Sequence, residues 1–187
     1  MRGKIGFVTI GLDGPRNITN KIRGDYDKIF KGIDILKKYD IPFALCGVIL
    51  SSTKDGVVFA CQSADALGAK KFKLILPIPK GNALNLPESE YMSNDDADGL
   101  FDELISMKHE LGWKVKITMT TWTQEVEGYS ILAYPNGNTY TWPVYDQKDK
   151  VLYLGNLLED KINEIWERYP YRQNHINKYL GRNIHII

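Results

Sequence analysis

The side chains that could do chemistry in this chain are few. Its 187 residues include two cysteines, Cys46 and Cys61, and three histidines, His109, His175 and His185. The histidines share no metal-ligand spacing with one another or with a cysteine. A Cys–His nucleophile pair needs only to meet in space, so spacing leaves it open, and nothing in the pattern favours one. Both cysteines sit among apolar neighbours, the usual setting of buried, inert thiols. A third candidate is Lys80-Gly81-Asn82, which follows an apolar run. It could bind an anion at the C-terminal mouth of a sheet, where the ligands of α/β folds gather. The alternative is a plain turn. It is not a phosphate loop, because no Gly-rich stretch ending in Lys-Ser/Thr opens a helix.

These residues must be positioned by an ordinary globular chain. Hydrophobic residues make up 43% and charged residues 25%, so a sizeable core can be buried. Lys plus Arg total 24 and Asp plus Glu 23, a near-balance that gives no footprint for nucleic acid or an anionic membrane. The longest apolar runs, Phe43–Leu50 and Phe72–Pro79, are too short to cross a bilayer. The N-terminal apolar stretch has no small-residue cleavage site, so no signal peptide is read there. Two cysteines argue against a disulfide scaffold and fit a reducing cytoplasm.

Apolar periodicity places the elements. Lys4–Leu12 reads as a strand that ends in the turn cluster Asp13-Gly14-Pro15-Arg16-Asn17. Asp25–Tyr39 is an amphipathic helix through Ile29, Ile33 and Leu36. Ile41–Leu50 is a second strand, and Ser51-Ser52-Thr53 offers N-cap hydroxyls for a helix over Asp55–Leu67 that Gly68 stops. Phe72–Ile78 is a third strand, followed by a long loop, Pro79–Ser93. Ser93 or Asn94 can cap the helix Asp95–Leu111, which Gly112 ends, and Trp113–Thr121 is a fourth strand. Successive strand–helix pairs imply a parallel sheet with right-handed crossovers, and the apolar strands suggest burial on both faces. After Thr121 the pattern changes. Tyr129–Tyr134 and Thr139–Trp142 flank Asn136-Gly137 as a hairpin, with positive φ expected at both central residues. Lys150–Leu154 is a short strand. Asp160–Tyr169 is a helix with Ile162, Ile165 and Trp166 on one face, and Tyr171–Leu180 is a last helix. The expected fold class is α/β: a half, TIM-barrel-like parallel sheet over 1–123, and a small hairpin-and-helix lobe over 124–187. The four tryptophans and eleven tyrosines give the lobe its aromatic character.

Several of these segments resemble one family. Val8-Thr9-Ile10-Gly11-Leu12-Asp13-Gly14-Pro15, followed by Ile22-Arg23-Gly24, resembles the fourth strand and loop of radical SAM barrels. There an apolar strand leads into Ser-Leu-Asp-Gly and an Ile-Arg-Gly triplet opens the next helix. Ala66-Leu67-Gly68-Ala69 resembles the run into the sixth strand. Tyr134-Pro135-Asn136-Gly137, Leu154-Gly155-Asn156-Leu157 and Ile162-Asn163-Glu164-Ile165-Trp166 resemble the start of a SPASM-type extension. The family implies S-adenosyl-L-methionine (SAM) and a four-iron four-sulfur cluster held by CxxxCxxC. This chain has neither that motif nor the first three βα units. Iron–sulfur clusters need thiolate ligands, and Cys46 and Cys61 cannot supply three at that spacing. Nor does the hairpin end, Tyr140-Thr141-Trp142-Pro143, carry a SPASM cysteine. Gly11 stands where the family usually has a serine that helps bind the SAM ribose.

By the resemblance, Asp13, Arg23 and Lys80 are the candidate cofactor-side residues, making SAM or anion contacts. An arginine fork suits a carboxylate. The alternative is that Asp13 shapes the turn and Arg23 pairs with a local acid. No cofactor is expected for the isolated chain. It reads as a degenerate radical SAM half, inactive alone, with a binding or partner-dependent role. Otherwise it is half of an active enzyme whose cluster and SAM come from another chain, or a fragment of a longer one. The strand Lys4–Leu12 would then lack its neighbour. Its free N–H and C=O groups predict a homo-oligomer, or a partner chain covering residues 4–12, unless Tyr171–Ile187 folds over them.

Overall fold

The computed structural model describes residues 5–77, 81–121, 131–141, 151–170 and 184–187. In chain order the first unit contains β1 (Val8–Gly11), α1 (Arg16–Arg23), α2 (Tyr26–Lys38), β2 (Phe43–Val48), α3 (Gly56–Leu67), β3 (Lys71–Ile75), α4 (Asn94–Leu111) and β4 (Lys116–Thr120). The second contains β5 (Ile131–Ala133), β6 (Asn138–Thr141), β7 (Tyr153–Asn156) and α5 (Ile162–Arg168), and β8 (Ile184–Ile186) returns to the first. The units are Met1–Thr121 with Ile184–Ile187, and Trp122–Asn183.

In the first unit the sheet order is β1-β2-β3-β4-β8. The first four strands are parallel, and β8 closes the far edge antiparallel to β4. Sequential order with right-handed crossovers puts all the connecting helices on one face. β3 accordingly alternates. Phe72 and Leu74 are buried while Lys71 and Lys73 between them are partly exposed. Leu45, Ile117 and Met119 join the buried set, facing Ile33, Val57, Ala60, Ala64, Phe101 and Leu104 of the helices. The expectation of a sheet buried on both faces holds along β4, where Thr118 and Thr120 are buried as well as Ile117 and Met119, and fails at β3. From Lys71 to Leu74, β3 is apolar only at every second residue, which is the pattern of a half-covered strand.

Local chemistry sets the ends of the elements. Asp25 caps α2 by accepting from the Lys28 N–H at 3.1 Å, and Ser93 caps α4 by accepting from Asp96 at 3.1 Å. Gly68 and Gly112 end α3 and α4 with left-handed φ of 75° and 67°. The strand expected over Lys4–Leu12 pairs only from Val8, whose N–H reaches the Pro42 carbonyl at 3.1 Å. β2 begins just after that proline, which has no N–H to give, so Ile5 and Phe7 stay outside the ladder and exposed. Ser51–Thr53 form a 3-10 turn instead of capping α3, whose N-cap position is Asp55 without a side-chain bond. The triplet Ile22-Arg23-Gly24 closes α1 rather than opening the next helix, because Gly24, at φ 104°, breaks the chain there.

The second unit is a three-stranded antiparallel sheet, β5-β6-β7, with α5 against β7. The hairpin turn closes through Gly137 N–H to the Tyr134 carbonyl at 2.9 Å. Gly137 has a φ of 85° and Asn136 is not left-handed, so the turn has its one left-handed residue after the central pair instead of within it. Of the three apolar residues assigned to one face of the last amphipathic helix, only Ile165 is buried. Ile162 is exposed, and half-exposed Trp166 stacks on Tyr169 at 5.3 Å. The helix predicted over Tyr171–Leu180 lies outside the described residues.

Candidate functional site: the C-terminal rim of the parallel sheet

β1 runs straight into Leu12 and Asp13, both buried. Leu12 N–H bonds to the Cys46 carbonyl at 2.7 Å, which carries the β1–β2 ladder one step past the strand. That step turns the Asp13 carboxylate inward. Its Oδ1 accepts from the Val48 N–H at 2.7 Å and from Arg23 Nη2 at 3.1 Å, and its Oδ2 accepts from Arg23 Nε at 2.6 Å. The Asp13 side chain has no exposed surface, while that of Arg23 is one-third exposed, at 34%. Burying a carboxylate is costly unless it is paired and hydrogen-bonded, and these donors meet that cost. Asp13 therefore ties the end of α1 to the end of β2, and both its oxygens are used within the protein.

Glycines let the pieces approach. A Cβ on Gly11 would fall inside van der Waals contact of the Arg23 guanidinium, which lies across the strand at that point. Gly11 is thus the residue that gives Arg23 its place. Gly14 and Gly56 meet backbone to backbone, since a Cβ on Gly56 would stand 3.3 Å from the Gly14 Cα. Thr19, fully buried, fixes the same loop by donating to the Gly14 carbonyl at 2.7 Å and accepting from the Gly14 N–H at 3.2 Å.

Cys46 lies beside Gly11 in the register and beside Lys73 on its other flank. It is partly exposed. Burial raises its thiol pKa, opposed by the positive charges of Arg23 and Lys73 and reinforced by Asp13. Cys61, in α3 and buried under the helices, is pushed up to about 12 by desolvation. Neither is a ready thiolate. Asp13 and Arg23 are brought together; Lys80 lies outside the described residues. Among the described residues no group of His, Cys, Asp and Glu side chains is arranged to hold a metal ion, and no helix is long and apolar enough to cross a membrane.

The fold that carries this rim has counterparts among solved structures. Native anSMEcpe with bound AdoMet matches with a TM-score of 0.63 at 16% identity, over 92% of this chain and 52% of that one. Streptococcus suis SuiB bound to the precursor peptide SuiA matches with a TM-score of 0.68 at 8% identity, over 86% and 42%. SuiB bound to S-adenosylmethionine gives 0.64 at 8% identity, over 94% and 44%. The fold is α/β, a partial TIM-barrel-like parallel sheet similar to that of these enzymes. The chain spans about half the length of the radical SAM enzymes it matches. No protein-family profile and no curated protein matches its sequence.

The resemblance read from the sequence implies two cofactors, and the residues present fit them unequally. A four-iron four-sulfur cluster needs three or four thiolates. The two cysteines here are too few, and they lie on different layers, one on the open face of the sheet and one under the helices. They do not fit a cluster. For SAM the rim offers one free group. Arg23 Nη1 has no acceptor among the described residues and lies at Gly11, whereas Asp13 is already consumed.

The sequence reading missed the partners of this site. Val48 enters through a backbone N–H, which no side-chain motif announces. Three lysines on the open face, Lys71, Lys73 and Lys116, were passed over, although the alternation Lys71-Phe72-Lys73-Leu74 was there to be seen. In the second unit, Asp160 and Arg168 were also missed. Asp160 accepts from the Asn156 N–H at 2.8 Å and pairs with Arg168, which donates to the Leu154 carbonyl at 3.0 Å.

Proposed function

We propose that this chain is the cluster-free C-terminal half of a radical SAM barrel, silent in radical chemistry alone and dependent on a cluster-bearing half for any activity. That half belongs either to the same polypeptide or to another chain. The observation that carries the reading is the combination of half-length coverage of radical SAM structures with only two cysteines, placed on different layers. The free edge of β1 supports the same reading. In the sheet order β1 is terminal, and among the described residues nothing pairs with its outer side. A bare edge is normally covered.

The role of the rim in this reading is modest. Asp13 orients Arg23, and Arg23 presents one guanidinium nitrogen at the strand ends, suited to the carboxylate end of an amino-acid ligand such as SAM. Gly11 adds no hydroxyl there, so SAM binds the isolated chain weakly or not at all. Anaerobic reconstitution with iron and sulfide tests the reading, followed by absorbance and EPR with and without a cluster-bearing N-terminal half. The isolated chain is expected to show no cluster spectrum. Stoichiometric iron and sulfide on this chain alone would refute it. Calorimetry with SAM is expected to show no tight binding, and any binding present should be lost in Arg23→Ala.

A further inference from the structure

The open face of the parallel sheet has a one-sided charge that the rim does not explain. The strands contribute Lys71 and Lys73 from β3 and Lys116 from β4 to it, and β1, β2, β3, β4 and β8 contain no acidic residue at all. Lys71 and Lys116 are direct register partners on neighbouring strands. Lys73 lies two residues on, about 6.6 Å along the same face. Lys116 is exposed and the other two are partly so. Among the described residues none of the three has an ion-pair partner. Like charges set directly opposite on a sheet are destabilising. The one acid at the rim, Asp13, faces inward and is already neutralised by Arg23. The rest of this face is small or apolar: Thr9, Gly11, Cys46, Val48 and Ile75, with Ala44, Thr118 and Thr120 buried among them.

A second copy does not solve this. Laid face to face, it would set three lysines against three lysines. Paired edge to edge through β1, it would leave the face uncovered. β1 and β8 are the two terminal strands of the sheet, and of the four parallel strands β1 is the one whose outer side has no partner among the described residues. We infer that the open face is a docking surface for a carboxylate-bearing partner polypeptide, held by Lys71, Lys73 and Lys116 and continued along the free edge of β1. This rests on the partner-dependent reading above and gives that partner its chemistry: acidic on the side that meets the sheet.

The test is fluorescence anisotropy with a labelled deca-glutamate peptide, with deca-glutamine as control. It is run on the full chain and on the variant K71Q/K73Q/K116Q. Deca-glutamate is expected to bind the unaltered chain, to weaken as salt rises, and to bind the triple variant about tenfold more weakly. Deca-glutamine is expected not to bind. Failure of deca-glutamate to bind, or equal affinity for the two proteins, overturns the inference. Should the triple variant not fold, Lys73→Gln and Lys116→Gln singly are each expected to weaken binding about twofold to threefold, and unchanged affinity in both has the same overturning force. Sedimentation of the chain alone is expected to give a monomer. A salt-resistant dimer that excludes deca-glutamate would hand the face to a second copy instead. These assays read no cluster and no radical, so the docking surface can fail while the half-barrel reading stands, and the reverse.

Discussion

The two faces of the parallel sheet are made by the same strands and have opposite characters. On one side Phe72, Leu74, Leu45, Ile117 and Met119 are sealed under α2, α3 and α4. On the other, one residue away along each strand, stand Lys71, Lys73, Lys116, Cys46 and Gly11. The covered face is where the stability of the unit comes from, since each large apolar side chain removed from water contributes about 1.5–3 kcal/mol. The other face buries mainly small and polar residues, Ala44, Thr118 and Thr120, and leaves its three lysines without an ion-pair partner among the described residues. Asp13 and Arg23 sit at the seam, where the strand ends and its last side chain turns from one layer toward the other. A single-residue alternation thus separates what holds the fold from what is left to bind.

The sharpest way to break that contrast is a pair of neighbouring truncations. Phe72→Ala should cost about 3–5 kcal/mol in chemical denaturation, because it leaves a cavity under the helices. Lys73→Ala, the next residue, should stay within about 0.5 kcal/mol. Equal effects would mean that the open face is covered as tightly as the other. Asp13→Ala comes next, at about 2–3 kcal/mol. It strands the Val48 N–H and takes the partner from Arg23. A double-mutant cycle with Arg23→Ala should show clear coupling, and additivity would separate the two residues energetically. Gly11→Ser is milder, about 1 kcal/mol, since the guanidinium must swing off the strand to admit the side chain. It should also weaken the Asp13–Arg23 coupling in the same cycle.

The smallest expected effect is a difference between thiols. At pH 8 under native conditions Cys46, on the open face, should react slowly with a disulfide reagent. Cys61, with its pKa pushed up to about 12, should react only as the chain opens. Denaturant should then bring both to the same rate. Prompt native reaction of Cys61 would show that the helix layer over it is not closed.

Much of the architecture was legible because it is local. The βα order, the Ser93 cap, and the stops at Gly68 and Gly112 follow from residue types whose preferences need no tertiary context. The faces were harder. β3 was taken as apolar because Phe72, Leu74 and Ile75 dominate it, although its two lysines obey a strict period of two. The beginning of β1 was misjudged for a different reason. Ile5 and Phe7 favour a strand, but a strand exists only where a partner offers its backbone, and β2 starts after Pro42. The hairpin was placed correctly, yet its turn type was not, since the closing bond to the Tyr134 carbonyl picks the one residue, Gly137, that must be left-handed.

The candidate site divides in the same way. Asp13 and Arg23 were singled out from the sequence by resemblance to a family, and both the ligand reading and the local-pair reading were open. Only the tertiary structure put the Val48 N–H and the Arg23 guanidinium on the two Asp13 oxygens, and laid that guanidinium across Gly11. By itself the sequence determined that three thiolates cannot be found in this chain, because that is a matter of counting residues. It also determined that the first four strands would be parallel, because each is joined to the next through a helix long enough to cross back. What only the fold decided was which residues meet. Asp13 and Val48 are far apart along the chain, and a buried carboxylate finds its donors through the register of neighbouring strands.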